Sequence, residues 1–173
     1  MKSKIYVIAL LLLSILIASC ESDDLTYQDD FENSRNVWMD FKESSENSYK
    51  YVVSNSSWVG FAWETTITVS NGKVIQRHFK YTNTEGLSDD IPDEDLEWTE
   101  DENEIGSHKD VAEPLTLDEV YEKAKQEWLL KRKEAQTYFE TKNNGLISMC
   151  GYVENGCQDD CFIGIIIKSV EVL

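Results

Sequence analysis

Four cysteines, two histidines and 33 acidic residues are the groups in this 173-residue chain able to bind a metal, form a covalent bond or move a proton. Cys150, Cys157 and Cys161 lie close together near the C-terminus. Cys157-x-x-x-Cys161 is not the spacing of a zinc knuckle, and His78 and His108 are distant in sequence, so a disulfide is the better expectation in an oxidising compartment. Spacing alone does not choose among the three pairings. Cys150 closes one expected strand and Cys161 opens the next, so Cys150–Cys161 is the expected bond, with Cys157 in the loop as competitor. Asp93, Asp95, Glu97 and Glu104 fall at positions 1, 3, 5 and 12 of a calcium-loop template. Position 6, which needs glycine for a sharp turn, is Trp98. The segment therefore reads as a solvated loop, with loose calcium binding left open and no metal site assigned. No Ser, Cys or Asp stands in a motif that would pair with either histidine as a nucleophile. Carboxylates are too numerous to single out a glycosidase pair, so no catalytic residue and no cofactor is expected. Trp58 and Trp98 are candidates for stacking on sugar rings, against the commoner use of tryptophan in a core.

The elements that must position these groups follow from patterning. The formal net charge is −17, and 41% of residues are hydrophobic. Such a surface repels phosphate backbones, which excludes nucleic acid as a partner, while the apolar content suffices for a folded core. A first helix is expected from Asp29 or Asp30 to about Glu46, with Phe31, Arg35, Trp38 and Phe41 at near-helical spacing. Tyr49, Tyr51 and Val53 share one face of a strand. Phe61 to Val69 and Lys73 to Thr82 form a hairpin around Ser70-Asn71-Gly72. A three-residue loop there sets Ile67 against Ile75, Trp63 against Phe79 and Phe61 against Tyr81, keeping the large side chains on one face. Residues 83–113 form an acidic insertion, with thirteen acidic residues and one basic residue between Glu85 and Glu113 and a short strand around Trp98. Thr116 and Glu119 make a capping box, with Leu115 and Val120 as its staple, opening a helix that carries Leu117, Val120, Tyr121, Ala124 and Trp128 on one face. Strands at Ala135–Thr141, Leu146–Tyr152 and Cys161–Val172 follow. The last is apolar on both faces and reads as central. The expected fold is α+β: a single domain over residues 31–173, mainly antiparallel sheet with two helices, in the order helix, three strands, helix, three strands.

The N-terminus carries an address. Lys2 and Lys4 precede an apolar run of 13 residues, Ile5 to Ile17, interrupted only by Ser14. That length suits a signal peptide and is too short to span a bilayer. It ends in Leu16-Ile17-Ala18-Ser19-Cys20, which resembles a bacterial lipobox. The resemblance implies cleavage of residues 1–19 and lipidation of Cys20 by thioether-linked diacylglycerol plus an acyl chain such as palmitate on the new amine, a stable membrane anchor. Residues 20–30 then form an acidic tether. Its Glu21-Ser22-Asp23-Asp24 is similar to the signals that send lipoproteins of the Bacteroides and Flavobacterium group to the cell surface.

The order of a Tyr-rich strand, the "VSNGKV" hairpin, the "LTLDEVY" helix and a final hairpin, over about residues 31–172, resembles a family of small secreted bacterial domains of unknown function. Its hairpin has a DGKV-type turn and its helix a TIDEL-type start. The cysteines of the last hairpin depart from that pattern. The expectation is a surface-exposed outer-membrane lipoprotein, a non-catalytic binding or accessory domain for a protein or glycan partner. The alternative is a hydrolase or metal-assisted enzyme whose site assembles from scattered residues. Replacing Cys20 with Ala is expected to leave an unlipidated precursor, read by intact mass. An acylated Cys20→Ala protein would contradict the anchor.

Overall fold

The computed structural model describes residues 25–88, 90–109 and 111–173. The signal segment, Cys20 and the Glu21–Asp24 stretch lie outside the described residues. The expected tether ends earlier than residue 30. Leu25 is buried and bridges Leu130, and the Thr26 N–H donates to the Leu129 carbonyl at 2.8 Å.

Helix α1 spans Gln28–Ser44 and starts from Tyr27 in the left-handed conformation without a side-chain cap. Asp29 and Asp30 sit in its first turn, where they complement the positive end of the helix dipole. The inward positions are Phe31, Ser34 and Trp38. Arg35 is exposed, and the Ser34 hydroxyl takes the inward place beside it, 2.7 Å from the Tyr121 hydroxyl.

Seven strands follow: β1 (Tyr49–Ser56), β2 (Ala62–Ser70), β3 (Lys73–Asn83), β4 (Glu97–Asp101), β5 (Ala135–Glu140), β6 (Met149–Glu154) and β7 (Ile163–Val172). They build one antiparallel sheet in the order β4-β3-β2-β1-β7-β6-β5. Two meanders thus join through β1 and β7. The apolar run of β7 sits inside the sheet, as its two-sided hydrophobicity requires. In the acidic segment the short strand expected around Trp98 is the edge strand β4, preceded by a one-turn helix α2 (Asp93–Leu96), so the element order gains one strand and one turn over helix, three strands, helix, three strands.

Helix α3 (Leu117–Lys123) opens on the capping box: the Glu119 N–H donates to Thr116 Oγ1, and the Thr116 N–H donates to the Glu119 carboxylate at 2.7 Å. A wider π-type turn, Ala124–Trp128, continues it and buries Ala124 and Trp128. α1 and α3 cover one face of the sheet. Trp38 packs edge-on to Tyr49 with ring centroids 5.3 Å apart and stacks at 6.1 Å on Tyr121. The Leu117 N–H donates to the Tyr49 hydroxyl at 2.8 Å, and the Tyr51 hydroxyl donates to the Leu115 carbonyl at 2.5 Å. These bonds satisfy phenols that are otherwise buried, and that burial pushes both tyrosine pKa values up.

The β2–β3 register differs from the expected one. Asn71 and Gly72 alone form the turn, both with positive φ, 49° and 76°, as a tight I′ hairpin demands. A bulge at Ile75 then shifts the ladder, so that Ile67 faces Arg77, Thr65 faces Phe79 and Trp63 faces Tyr81. The pairing is displaced by two residues, which preserves the face: the aromatic side chains stay together, with Phe61 and Trp63 stacked at 5.6 Å. The reason is tertiary. The Gly72 N–H donates to the Asn47 carbonyl at 2.9 Å, and a Cβ at Gly72 would meet Asn47 Nδ2 at 2.5 Å. The α1–β1 connection therefore holds the turn tight.

The disulfide also differs from expectation. Cys157 bonds Cys161, with Cα atoms 6.2 Å apart, and Cys150 is a buried free thiol. Cys150 lies within the ladder, opposite both Phe139 and Ile165, whereas pairing of β6 with β7 ends at Tyr152 and Ile163, short of Cys161. The two expected ends therefore never face each other. Burial pushes the Cys150 thiol pKa up, which keeps it an inert core group. Alkylating the folded chain without reduction should label none of these three cysteines, and unfolding it without reduction should expose Cys150 alone. Reducing so short a ring is expected to cost about 2 kcal/mol in the unfolding free energy. A Cys150–Cys161 peptide in the unreduced digest would contradict the pairing.

Candidate functional site

The sheet parts at its centre. β7 pairs with β6 from Ile163 to Ile166 and with β1 from Ile167 to Val172. On β1 the ladder to β7 stops at Val53, after a bulge that leaves Lys168 as the extra residue. Ser54, Asn55 and Ser56 pair with β2 alone. The first half of β7 is drawn towards β6, where Gly151 lies opposite Gly164. A Cβ at Gly164 would meet the Cys150 carbonyl oxygen at 2.1 Å, so only glycine permits that approach. Beyond the fork the two arms meet again through the Ser57 hydroxyl, which donates to Asp160 at 3.0 Å. Asp160 belongs to the β6–β7 connection closed by Cys157–Cys161.

On the helix side, the fork opens into a cleft of about 400 Å³, within the usual range of ligand sites. Val53, Asn55 and Trp63 form one side of its floor, and Ile163, Gly164 and Ile165 the other. Lys123, Glu127 and Trp128 of the α3 region make one wall, and Val111, Ala112, Glu113 and Leu115 the facing wall. A second opening of about 250 Å³ on the other face of the sheet shares Asn55 and Trp63 with the first. The Trp63 indole nitrogen is buried without a hydrogen-bond partner among the described residues. Lys123 is bound to Glu113 at 2.6 Å. Glu127 has no ion-pair partner among the described residues, which leaves a net negative rim.

The loop wall is set by a buried pair. Arg77 on β3 faces Glu100 on β4, and the two are 2% and 1% exposed. Arg77 Nε and Nη2 donate to the two carboxylate oxygens at 2.9 and 2.7 Å, a bidentate fork. The remaining Arg77 donors reach the His108 and Ala112 carbonyls at 2.7 and 2.9 Å. Glu100 also accepts from the Gly106 and His108 N–H groups at 2.7 and 2.6 Å and from Ser107 Oγ at 2.8 Å. Burial alone raises the Glu100 pKa, but the bonds from Arg77, His108, Gly106 and Ser107 outweigh it and hold the carboxyl well below its ordinary range.

These contacts decide the fate of the residues singled out in sequence. Trp98 is sandwiched between Phe79 at 5.1 Å and His108 at 3.9 Å, so its faces are taken and it is not a sugar platform. Trp58 is 72% exposed on the β1–β2 connection, next to Ser57 at the outer end of the fork. His78 is held by Glu97 at 2.9 Å on the far side of β3. His108 Nδ1 lies 2.9 Å from Glu100, the orientation a carboxylate gives a general base. The adjacent Ser107 hydroxyl donates its proton to that same carboxylate, and neither histidine lines the cleft. Asp93 and Asp95 lie in α2, Glu97 begins β4 and Glu104 sits in the following turn. Among the described residues no three His, Cys, Asp or Glu side chains converge in metal-binding geometry. Sequence reasoning missed Asn55, Glu113, Lys123 and Glu127 as a group. Only Gly164, interrupting an isoleucine run, marked where the sheet parts.

No known protein family, curated protein or solved structure matches the chain.

Removing Arg77 would leave Glu100 buried and unpaired, so Arg77→Met should lower the unfolding free energy by about 3–5 kcal/mol, measured by urea titration. The pH dependence follows from the sign of the Glu100 shift. Its folded pKa lies below the ordinary value of 4.5, so the stability it confers is present above that pH and is lost as pH falls towards the folded pKa. Glu100→Gln should remove this component of acid destabilisation, and an unchanged slope below pH 4.5 would contradict it.

Proposed function

We propose that this chain is a lipoprotein anchored through acyl chains on Cys20, displayed on the outer surface of the outer membrane. Its α+β domain binds a protein or glycan partner in the cleft at the β1–β7 fork without performing chemistry on it. The reading is carried by the cleft itself, a concave site of about 400 Å³ with an apolar floor and charged groups confined to the rim. Supporting it are the lipobox at Leu16–Cys20, the serine-plus-acid stretch after it, and the resemblance to small secreted domains. The firm closure of the fork by the Ser57–Asp160 bond and the Cys157–Cys161 ring favours a preformed recognition surface over a moving catalytic loop.

Protease treatment of intact cells should remove the domain; full protection would place it on the periplasmic leaflet. In the full chain, Ile163 is exposed at the mouth of the cleft, so Ile163→Trp should obstruct the site while leaving the melting temperature unchanged. Titration with short peptides and with maltohexaose, followed by amide and indole NMR shifts, should perturb Asn55, Trp63, Glu127 and Gly164 in the wild type and not in Ile163→Trp. Perturbation confined to other residues, or turnover of a probe, would contradict the reading.

A further inference from the structure

We infer that the end of the sheet where the N-terminal tether joins the domain rests on the phospholipid bilayer, with Trp58 and Val59 seated at headgroup level, an inference that rests on the lipid anchor proposed above. The reach of the tether comes first. Only Glu21–Asp24 separate Cys20 from Leu25, so an anchored Cys20 holds Leu25 within about 18 Å of the lipid surface. Leu25 has a fixed place in the fold. It bridges Leu130, and the hydroxyl of nearby Tyr27 donates to the Thr137 carbonyl at 3.5 Å. Thr137 lies opposite Tyr152, and Tyr152 opposite Ile163. Leu25 therefore sits at the end of the sheet where the β1–β2 and β6–β7 connections turn. Resting the domain on its other end, where Val172 and Leu173 lie, would lift Leu25 by about the length of the eight-residue β1, 26 Å. That is beyond the reach of the tether.

The same end carries the side chains that a bilayer interface accepts. Trp58 is 72% exposed, the highest value among the large apolar side chains of the described residues, and Val59 beside it is 41% exposed. An indole joins an apolar ring to a polar N–H and settles where headgroups meet acyl chains. The tip that presents it is braced. The Ser57 N–H donates to the Phe61 carbonyl at 2.9 Å, Asn83 Nδ2 donates to the Gly60 carbonyl at 2.9 Å, and Ser57 holds Asp160. A Cβ at Gly86 would meet the Val59 carbonyl oxygen at 2.5 Å, so the turn after β3 packs directly against the tip. Charge is distributed to match. Lys131, Arg132 and Lys133 follow Leu130 at the tether edge, beside β5, and outnumber Glu134 and Glu154 of the same corner; Lys131 and Lys133 are exposed. The acidic insertion hangs from the opposite edge, on β4, where repulsion lifts it from anionic lipid. A glycan also stacks on an open indole, but it gives no role to the short tether or the basic corner.

The test uses the mature lipoprotein, its acylation read by intact mass, in vesicles of phosphatidylethanolamine and phosphatidylglycerol. Lipid brominated near the glycerol end of its acyl chains should quench the wild-type tryptophan emission, and Trp58→Ala, whose unfolding midpoint should match the wild type, should lose that quenching. Aqueous iodide should not reach Trp58. An amine-reactive reagent should label Lys133 more strongly in Trp58→Asp than in the wild type, while Lys73 and Lys142 at the far end of the sheet, both exposed, label alike in the two. An acylated chain whose Trp58 is quenched by iodide and not by brominated lipid would overturn the docking and leave the anchor in place. Protection of Lys73 and Lys142 by the vesicles would overturn it by laying the domain on its side. Shielding of Trp58 from iodide by maltohexaose but not by the bilayer would overturn it in favour of a glycan. A mature chain whose mass shows no acyl groups would overturn the docking and the anchor together.

Discussion

The arrangement depends on one buried ion pair, Arg77 with Glu100. Two charges removed from water inside a sheet face a large desolvation cost, and the pair persists only because nearly every donor and acceptor around it is used. Arg77 spends its guanidinium on Glu100 and on the His108 and Ala112 carbonyls. Glu100 collects the Gly106, Ser107 and His108 donors in return. The result is that a stretch of chain too acidic to build a core of its own is tied to the edge of the sheet at one point. β4, the loop after it and the Phe79–Trp98–His108 stack all hang on that point.

The cleft is the geometric consequence of two further constraints. The sheet consists of two antiparallel meanders sharing β1 and β7, and β7 changes partner midway along its length. The Gly151–Gly164 contact pulls one half of β7 close to β6, and the Lys168 bulge lets the other half stay with β1. A gap must open between them. The helix side of that gap is then walled by α3 and by the loop that Arg77 holds. The disulfide ring at the far end fixes Asp160 against Ser57 and so fixes the width of the fork.

Local signals made much of the scaffold readable. The Thr116–Glu119 box predicts the start of α3, because a cap is satisfied by residues three apart. Tyr49, Tyr51 and Val53 predict the inward face of β1, and the two-sided isoleucines predict an interior place for β7. What was not readable depends on distant partners. The β2–β3 register turns on Asn47 gripping the hairpin, and nothing in Ser70-Asn71-Gly72 distinguishes that turn from the looser one. The cysteine pairing turns on where the β6–β7 ladder ends. In the acidic stretch the short strand around Trp98 is legible, but the pattern of carboxylates does not reveal that Glu100 finds a buried arginine. The cleft was least visible of all, since its lining comes from three strands, a helix and a loop that meet only in the folded chain.

The Arg77–Glu100 pair, rather than local structure, holds the loop that walls the cleft. Hydrogen exchange of the Gly106 and His108 amides in the folded full chain tests it most directly, because both amides donate to Glu100. They should be protected to the same level as the β3 amides in the wild type and become fast in Glu100→Gln while the β1 and β2 amides stay slow. Fast exchange of Gly106 and His108 in the wild type, or slow exchange that survives Glu100→Gln, would contradict it.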